Sequence, residues 1–337
     1  MQQPSFWWRP RLSVPALVLA PLAVVYGWVA GVVGRMRAAR AYYAAVPVVS
    51  VGNLSVGGSG KTPLVEALAT HFAARGEQVA VVMRGYGGQM GAQPLQVRPE
   101  HPAALVGDEA RMLATACAGQ RVAVWVGANR PAVVRRAEQA GATFIVLDDA
   151  FQRRDVARTV DILVLDGARP WPFGNGLVLP AGPLRESLGA RTRADFAVLL
   201  NAKPTPTTEA PPYYGLLTYR PHTQLVAADV KALAGKSLLA FCGLGNPDKF
   251  FAALRQAGLQ VSATVRYADH YAYPPRSVAY LRRQAQMHGL TLVTTAKDAV
   301  KLPPGVAQVV RQEITPDAEW QNVLAALAAK VADGLAP

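Results

Sequence analysis

"PVVSVGNLSVGGSGKTPLVEAL", residues 47–68, decides how the rest of the chain is read. A short apolar run, 47–52, enters a Gly-rich turn, and from Thr62 onward the apolar spacing is that of an amphipathic helix. Strand, Gly-rich turn and helix is the setting in which G-x-x-x-x-G-K-[ST] binds nucleotide phosphates. Counting back from Gly60-Lys61-Thr62 puts Ser55 where that pattern has its first Gly; Val56 follows, and the glycine curve moves later, to Gly57 and Gly58. The mechanism survives the shift. Backbone N–H groups of Gly57, Gly58, Ser59, Gly60 and Lys61 can wrap phosphate oxygens, and the helix N-terminus adds partial positive charge. Lys61 would reach the β- and γ-phosphates, and Thr62 would offer its hydroxyl to Mg²⁺. Pro63 sits near the helix start, where its missing N–H costs nothing.

Outward from this stretch, apolar runs at 78–83, 121–127, 143–148, 161–166 and 195–200 alternate with Ala-rich helical patterns such as 62–75 and 129–140. Continuous apolar strands with helices between them predict a mostly parallel sheet covered on both faces, in an α/β, P-loop NTPase-like doubly wound fold. The Pro- and Thr-rich stretch 201–215 reads as a linker. Beyond it, runs at 237–247, 260–267 and 290–298 predict a second, smaller α/β unit, closed by a helix near 316–333. The expected division is 1–40 for an N-terminal hydrophobic helix, 41–215 for the kinase-like domain and 216–337 for the smaller one.

The 337 residues are 51% hydrophobic and 17% charged, with a formal net charge of +13. Such a chain buries a core, and its charge points to an acidic partner. The arginines are scattered, and neither zinc-finger spacing nor an aromatic RNA-binding motif occurs, so lipid and phosphate are favoured and no nucleic-acid partner is expected. Cys117 and Cys242 lie apart in apolar stretches and read as buried thiols. Residues 12–34 carry no charged side chain and are flanked by Arg9, Arg11, Arg35, Arg37 and Arg40, with Trp7 and Trp8 just outside. A cleaved signal peptide, a buried core helix and a membrane anchor all fit that composition. The anchor is favoured by length and by its flanks, and the arginines after it keep the body on the cytoplasmic side.

Carboxylates complete the chemistry. Asp148 and Asp149 follow a buried run, where a P-loop protein places an acidic residue to help hold Mg²⁺. Asp108 and Glu109 precede a helical pattern and read, alone, as a cap and a first-turn acid. His270 is one of five histidines.

Together the motifs are no longer anonymous. "SVGNLSVGGSGKTP", "RGYGG", "VGDEA", "DDAFQRR", "LPAGPLRE", "GLGNPDKFF", "DHYAY" and "TTAKDAVKL" occur in the order found in the tetraacyldisaccharide 4'-kinase family, which the chain resembles over essentially its whole length. The family's own loop has Ser or Thr at the position of Ser55. The resemblance implies a two-domain α/β enzyme that transfers the γ-phosphate of ATP, with Mg²⁺, to the 4'-hydroxyl of a tetraacyldisaccharide 1-phosphate, forming lipid IVA. It implies work at the cytoplasmic face of a bacterial inner membrane and no obligate protein partner. Residue by residue it implies Asp108 as catalytic base with His270 as its partner, Lys61 and Thr62 in their loop roles, and Glu109, Asp148 and Asp149 on the Mg²⁺ side. Arg185 is a candidate clamp on phosphate oxygens, or else an ion-pair partner of Glu186.

There are departures from the family pattern: Ala150 and Arg153 in "DDAFQRR", Tyr271 after His270, and Ala296 in "TAKD". Lys297 and Asp298 could serve binding or simply pair with each other. A rival reading, a membrane-associated switch ATPase, expects a Lys early in the loop, where Val56 stands. A GTP-dependent chaperone would need N-K-x-D, for which "NAKP" at 201–204 is a poor substitute.

Overall fold

The computed structural model describes residues 3–9, 11–57, 60–85, 88, 93–169, 171–202 and 215–334. Gly58 and Ser59 of the loop, the middle of "RGYGG" and most of the 201–215 linker lie outside the described residues.

After helix α1 (Val14–Ala38) the chain enters β1 (Val48–Gly52), α2 (Lys61–Ala74), β2 (Val79–Met83), β3 (Leu95–Val97), α3 (Ala103–Val106) and α4 (Asp108–Ala116). It continues through β4 (Val122–Val126), α5 (Arg130–Gln139), β5 (Phe144–Asp148), β6 (Val160–Asp166), β7 (Phe196–Leu200) and β8 (Thr218–Tyr219). These strands form one sheet in the order β3-β4-β2-β5-β1-β6-β7-β8, parallel except where β3 pairs antiparallel with β4. β1 is buried throughout and lies between β5 and β6. Its alternating side chains serve opposite faces, as the two-residue repeat of a strand demands. Val49 and Val51 meet Leu64, Leu68 and Phe72 of α2, whereas Val48 joins Ile145, Val133 and Val134 on the other side.

This placement builds the site. The loop leaves the carboxyl end of β1, and Asp148 ends β5, the strand beside it. Groups at the carboxyl ends of neighbouring parallel strands converge on one edge of the sheet, where open α/β folds bind ligands.

The second unit has β10 (Ser237–Cys242), β11 (Gln260–Arg266), β12 (Thr291–Thr295) and β13 (Gln308–Val310) in a parallel sheet ordered β11-β10-β12-β13. Phe250, Phe251 and Leu254 of α7 (Pro247–Gln256) cover one face. Val278, Leu281 and Ala285 of α8 (Pro275–Met287) cover the other. A short antiparallel ribbon pairs β9 (Thr223–Leu225) with β14 (Gln312–Ile314).

The sequence assigns all of 216–337 to the smaller unit, and the packing corrects this. β8 is the last strand of the large sheet. The closing helix, α10 (Ala318–Gly334), inserts Trp320, Val323, Leu324 and Leu327 into the core that α2 shares with β1. The chain therefore returns to the large unit after completing the small one. Both cysteines are buried, and burial pushes each thiol up to about 12, which makes them unreactive packing groups.

Helix α1 is the one described helix long and apolar enough to cross a bilayer. Only Ala16, Ala23 and Gly34 of it are buried. Val18, Val24 and Trp28 stand about seven-tenths exposed. A core helix would hide these side chains, so the structure removes the buried-helix reading of 12–34.

Candidate active site

α2 begins at Lys61 directly after Gly60, whose φ of 78° is a backbone conformation that glycine adopts freely. Lys61 Nζ lies 3.3 Å from Asp149 Oδ1, and Arg185 meets the same carboxylate at 2.9 and 3.1 Å. Asp149 itself turns left-handed, at φ 46°, which a short polar side chain tolerates. Its burial pushes its carboxyl up, but the two cations outweigh that and hold it down at about 2. Arg185 thus faces the site. The alternative pairing with Glu186 is not formed, because Glu186 is taken by Arg193 at 2.8 Å.

Asp148 is the opposite case. It is 6% exposed, and burial raises its carboxyl to about 7 against the pull of Lys61, with Glu109 and Asp149 adding repulsion. Its Oδ1 is buried with no hydrogen-bond partner. An orphaned buried carboxylate oxygen needs a compensating ligand. Among the described residues no three His, Cys, Asp or Glu side chains cluster tightly enough to hold a metal alone. That pattern fits Mg²⁺, which takes one or two carboxylates and completes its shell with phosphate oxygens and water. Arg130 braces this corner from behind. It is 2% exposed and donates to the carbonyls of Asp148 at 2.7 Å and Asp149 at 3.1 Å.

Asp108 is the first residue of α4, yet its side chain makes no cap on that helix. Instead Oδ2 lies 3.1 Å from His270 Nδ1 and 3.5 Å from Lys301 Nζ, both in the second unit. His270 Nε2 faces Lys297 Nζ at 3.4 Å. Lys297 also approaches Asp269 at 3.4 Å and Glu109 at 3.6 Å. Asp298, fully buried, accepts from Gly243 N–H and the Thr295 hydroxyl and pairs with Lys301 at 2.9 Å. The pairing of Lys297 with Asp298 that the sequence allowed is therefore not the one formed.

The site residues read from the sequence fall into two groups. Lys61, Asp149 and Arg185 meet directly, with Asp148 beside them. Asp108 and His270 meet across the two units, and Glu109, next to Asp108, is near enough to Asp148 to disfavour its charge. Ser55 forms a bridge to Leu184, two residues after which Arg185's neighbour Glu186 stands. Thr62 occupies the second position of α2. Three contributors were missed: Arg130, Lys301 and Asn53. Asn53 is fully buried and donates to Ser55 O at 2.9 Å, ordering the loop from within. A polar residue directly after a buried strand was the available signal. At the altered positions, Arg153 pairs with Asp155, and Tyr271 stacks on Tyr267 while its hydroxyl meets Ser277, so both serve local structure.

A family model described as tetraacyldisaccharide-1-P 4'-kinase matches residues 15–332. A tetraacyldisaccharide 4'-kinase of Methylobacterium sp. (strain 4-46) is 41% identical over 324 residues, 94% of each chain. One from Gluconacetobacter diazotrophicus is 43% identical over 316 residues, 92% of each. Among solved structures, LpxK from Aquifex aeolicus in complex with ATP superposes with a TM-score of 0.74 at 26% identity, covering 94% of this chain and 99% of that one.

Proposed function

The chain belongs to the tetraacyldisaccharide-1-P 4'-kinase family, and from that premise we propose how its residues divide the work. The enzyme is an ATP-dependent kinase that phosphorylates the 4'-hydroxyl of a tetraacyldisaccharide 1-phosphate, forming lipid IVA in lipid A biosynthesis. The observation that carries the residue-level reading is the Asp108–His270 contact at 3.1 Å.

A sugar hydroxyl is a poor nucleophile at neutral pH, so a base must take its proton as the bond to phosphorus forms. His270 and Lys301 both approach Asp108 at Oδ2, which leaves Oδ1 for the substrate hydroxyl. His270 and Lys301 orient the carboxylate toward the substrate. The loop from Ser55 to Thr62 holds the ATP phosphates, and Lys61 exchanges Asp149 for the transferring group. Arg185, beside Lys61, clamps the same oxygens. Thr62 and Asp148 are the residues that would hold Mg²⁺, with Glu109 and Asp149 at its margin. Mg²⁺ bound there neutralises charge on the β- and γ-phosphates.

Helix α1 holds the enzyme on the cytoplasmic face of the inner membrane, where the acylated substrate lies. Its exposed apolar side chains and flanking arginines support this reading. The net charge of +13 favours an anionic lipid surface.

Transfer from γ-labelled ATP to tetraacyldisaccharide 1-phosphate in detergent micelles tests the reading. Label on the 4'-oxygen of the lipid is the expected result. Steady ATP hydrolysis with no labelled lipid would instead indicate a switch ATPase.

A further inference from the structure

We propose that Gln3, ahead of the apolar helix, is a positioning residue for the phosphate-binding loop, holding the Val56–Gly57 peptide so that Gly57 N–H faces the ATP phosphates. This rests on the reading of residues 55–62 as the ATP phosphate site.

Every peptide plane between Ser55 and Gly57 is pinned by a partner. Asn53 Nδ2 donates to Ser55 O at 2.9 Å and to Gly57 O at 3.4 Å. Val56 N–H donates to Pro183 O at 2.8 Å. The remaining carbonyl, Val56 O, accepts from Gln3 Nε2 at 3.2 Å. The peptide bond is planar and trans, so the C=O of one residue and the N–H of the next point in opposite directions. A donor bound to Val56 O from outside therefore turns Gly57 N–H toward the opposite side. Gly57 has a φ of 103°, which favours glycine, and a Cβ there would displace the Gln3 amide from its place.

Gln3 is itself held. Trp8 Nε1 donates to Gln3 Oε1 at 3.0 Å, which fixes the amide with its nitrogen toward the loop. The Trp8 ring carries the Arg169 guanidinium 3.6 Å from its centroid. Arg169 and Lys249 both pair with Asp166, the last residue of β6, at 3.3 and 2.8 Å. Trp7 is tied in parallel, donating from its indole to Pro180 O at 3.0 Å and accepting from Asn175 N–H at 2.8 Å. Six residues after Trp8 the chain enters α1, whose apolar side chains are exposed. The segment that shapes the loop is thus continuous with the one that faces the lipid. Seating of that segment is coupled to ATP affinity.

The test uses the full chain in detergent micelles, with equilibrium ATP binding and the KM values for ATP and for lipid measured separately. Gln3→Ala is expected to weaken ATP binding and raise its KM about five- to tenfold, the range one hydrogen bond carries. The KM for lipid and the melting temperature should stay near wild type. Trp8→Phe keeps a ring beneath Arg169 but removes the N–H that orients Gln3, so it should shift ATP binding in the same direction. The double variant should be no weaker than the worse single one, because both act through one contact. Wild-type ATP affinity in both single variants, with Lys61→Ala still abolishing binding, overturns the proposal. Wild-type ATP binding by Lys61→Ala would overturn the loop reading itself.

Discussion

Lys301 Nζ lies 3.5 Å from Oδ2 of Asp108, although the two residues belong to different units of the fold. The lysine side chain is 6% exposed and is steered by Asp298, which is fully buried. A buried ammonium placed on the proposed base holds that carboxylate in one orientation.

Replacing Lys301 with Met keeps most of its stem and removes its charge. The expected outcome is a kcat lower by roughly tenfold, equivalent to about 1.4 kcal/mol, with the KM for ATP little changed. Steady-state kinetics with ATP and lipid varied separately would show it. An unchanged kcat would make Lys301 a docking group only.

Arg185 pairs with Asp149 beside Lys61, whereas Arg193 pairs with Glu186, the residue that follows Arg185 in sequence. Arg185→Ala should lower kcat about 10²-fold, the scale of losing one donor to a developing charge, with little change in melting temperature. Arg193→Ala should lower the melting temperature while leaving most of the kcat.

Among the described residues Arg130 is the largest fully buried side chain, and it donates to the carbonyls of Asp148 and Asp149. Burial lowers its guanidinium to about 10, still well above neutral pH. Arg130→Met should cost roughly 2–5 kcal/mol of stability, since two charge-assisted bonds are lost. Denaturant unfolding would measure this, and a loss below about 0.5 kcal/mol would remove the bracing role.

Helix α1 exposes Leu17, Val18, Leu22, Val24, Val25 and Trp28, and contiguous exposed apolar side chains mark a membrane or partner surface. Changing Val18 and Leu22 to Asp should release the protein from anionic vesicles in a flotation assay, because a charge deep in the bilayer costs about 2.5–3.5 kcal/mol by insertion scales. ATP binding should persist. Continued flotation of that variant would contradict the anchor.

Much of this was legible in the sequence because local chemistry dictated it. The alternation of apolar runs and helical patterns gave the parallel sheet, and the loop with its carboxylates marked out the candidate site. What escaped depends on long-range return of the chain. No periodicity tells α10 to pack against α2 rather than within its own unit, so Trp320 and Leu327 looked like part of the smaller core. Strands of two or three residues, such as β8 and β13, carry too few side chains for a pattern. Asp108 could be a cap or a base by sequence. The helix has no side-chain cap there, and His270, 162 positions away, approaches the carboxylate instead, a contact no local pattern announces. Lys301 and Arg130 escape for the same reason, since a lysine in a turn or an arginine at the start of a helix gives no sign of burial.

The central claim is that Asp108 takes the proton of the attacking hydroxyl. The most direct test is a single-turnover measurement of phosphoryl transfer by Asp108→Ala beside wild type, at saturating ATP, with ATP affinity determined independently. The account predicts a transfer rate reduced by about 10²–10⁴-fold with ATP affinity within about twofold. Transfer at the wild-type rate would contradict it and move the search for the base elsewhere in the site.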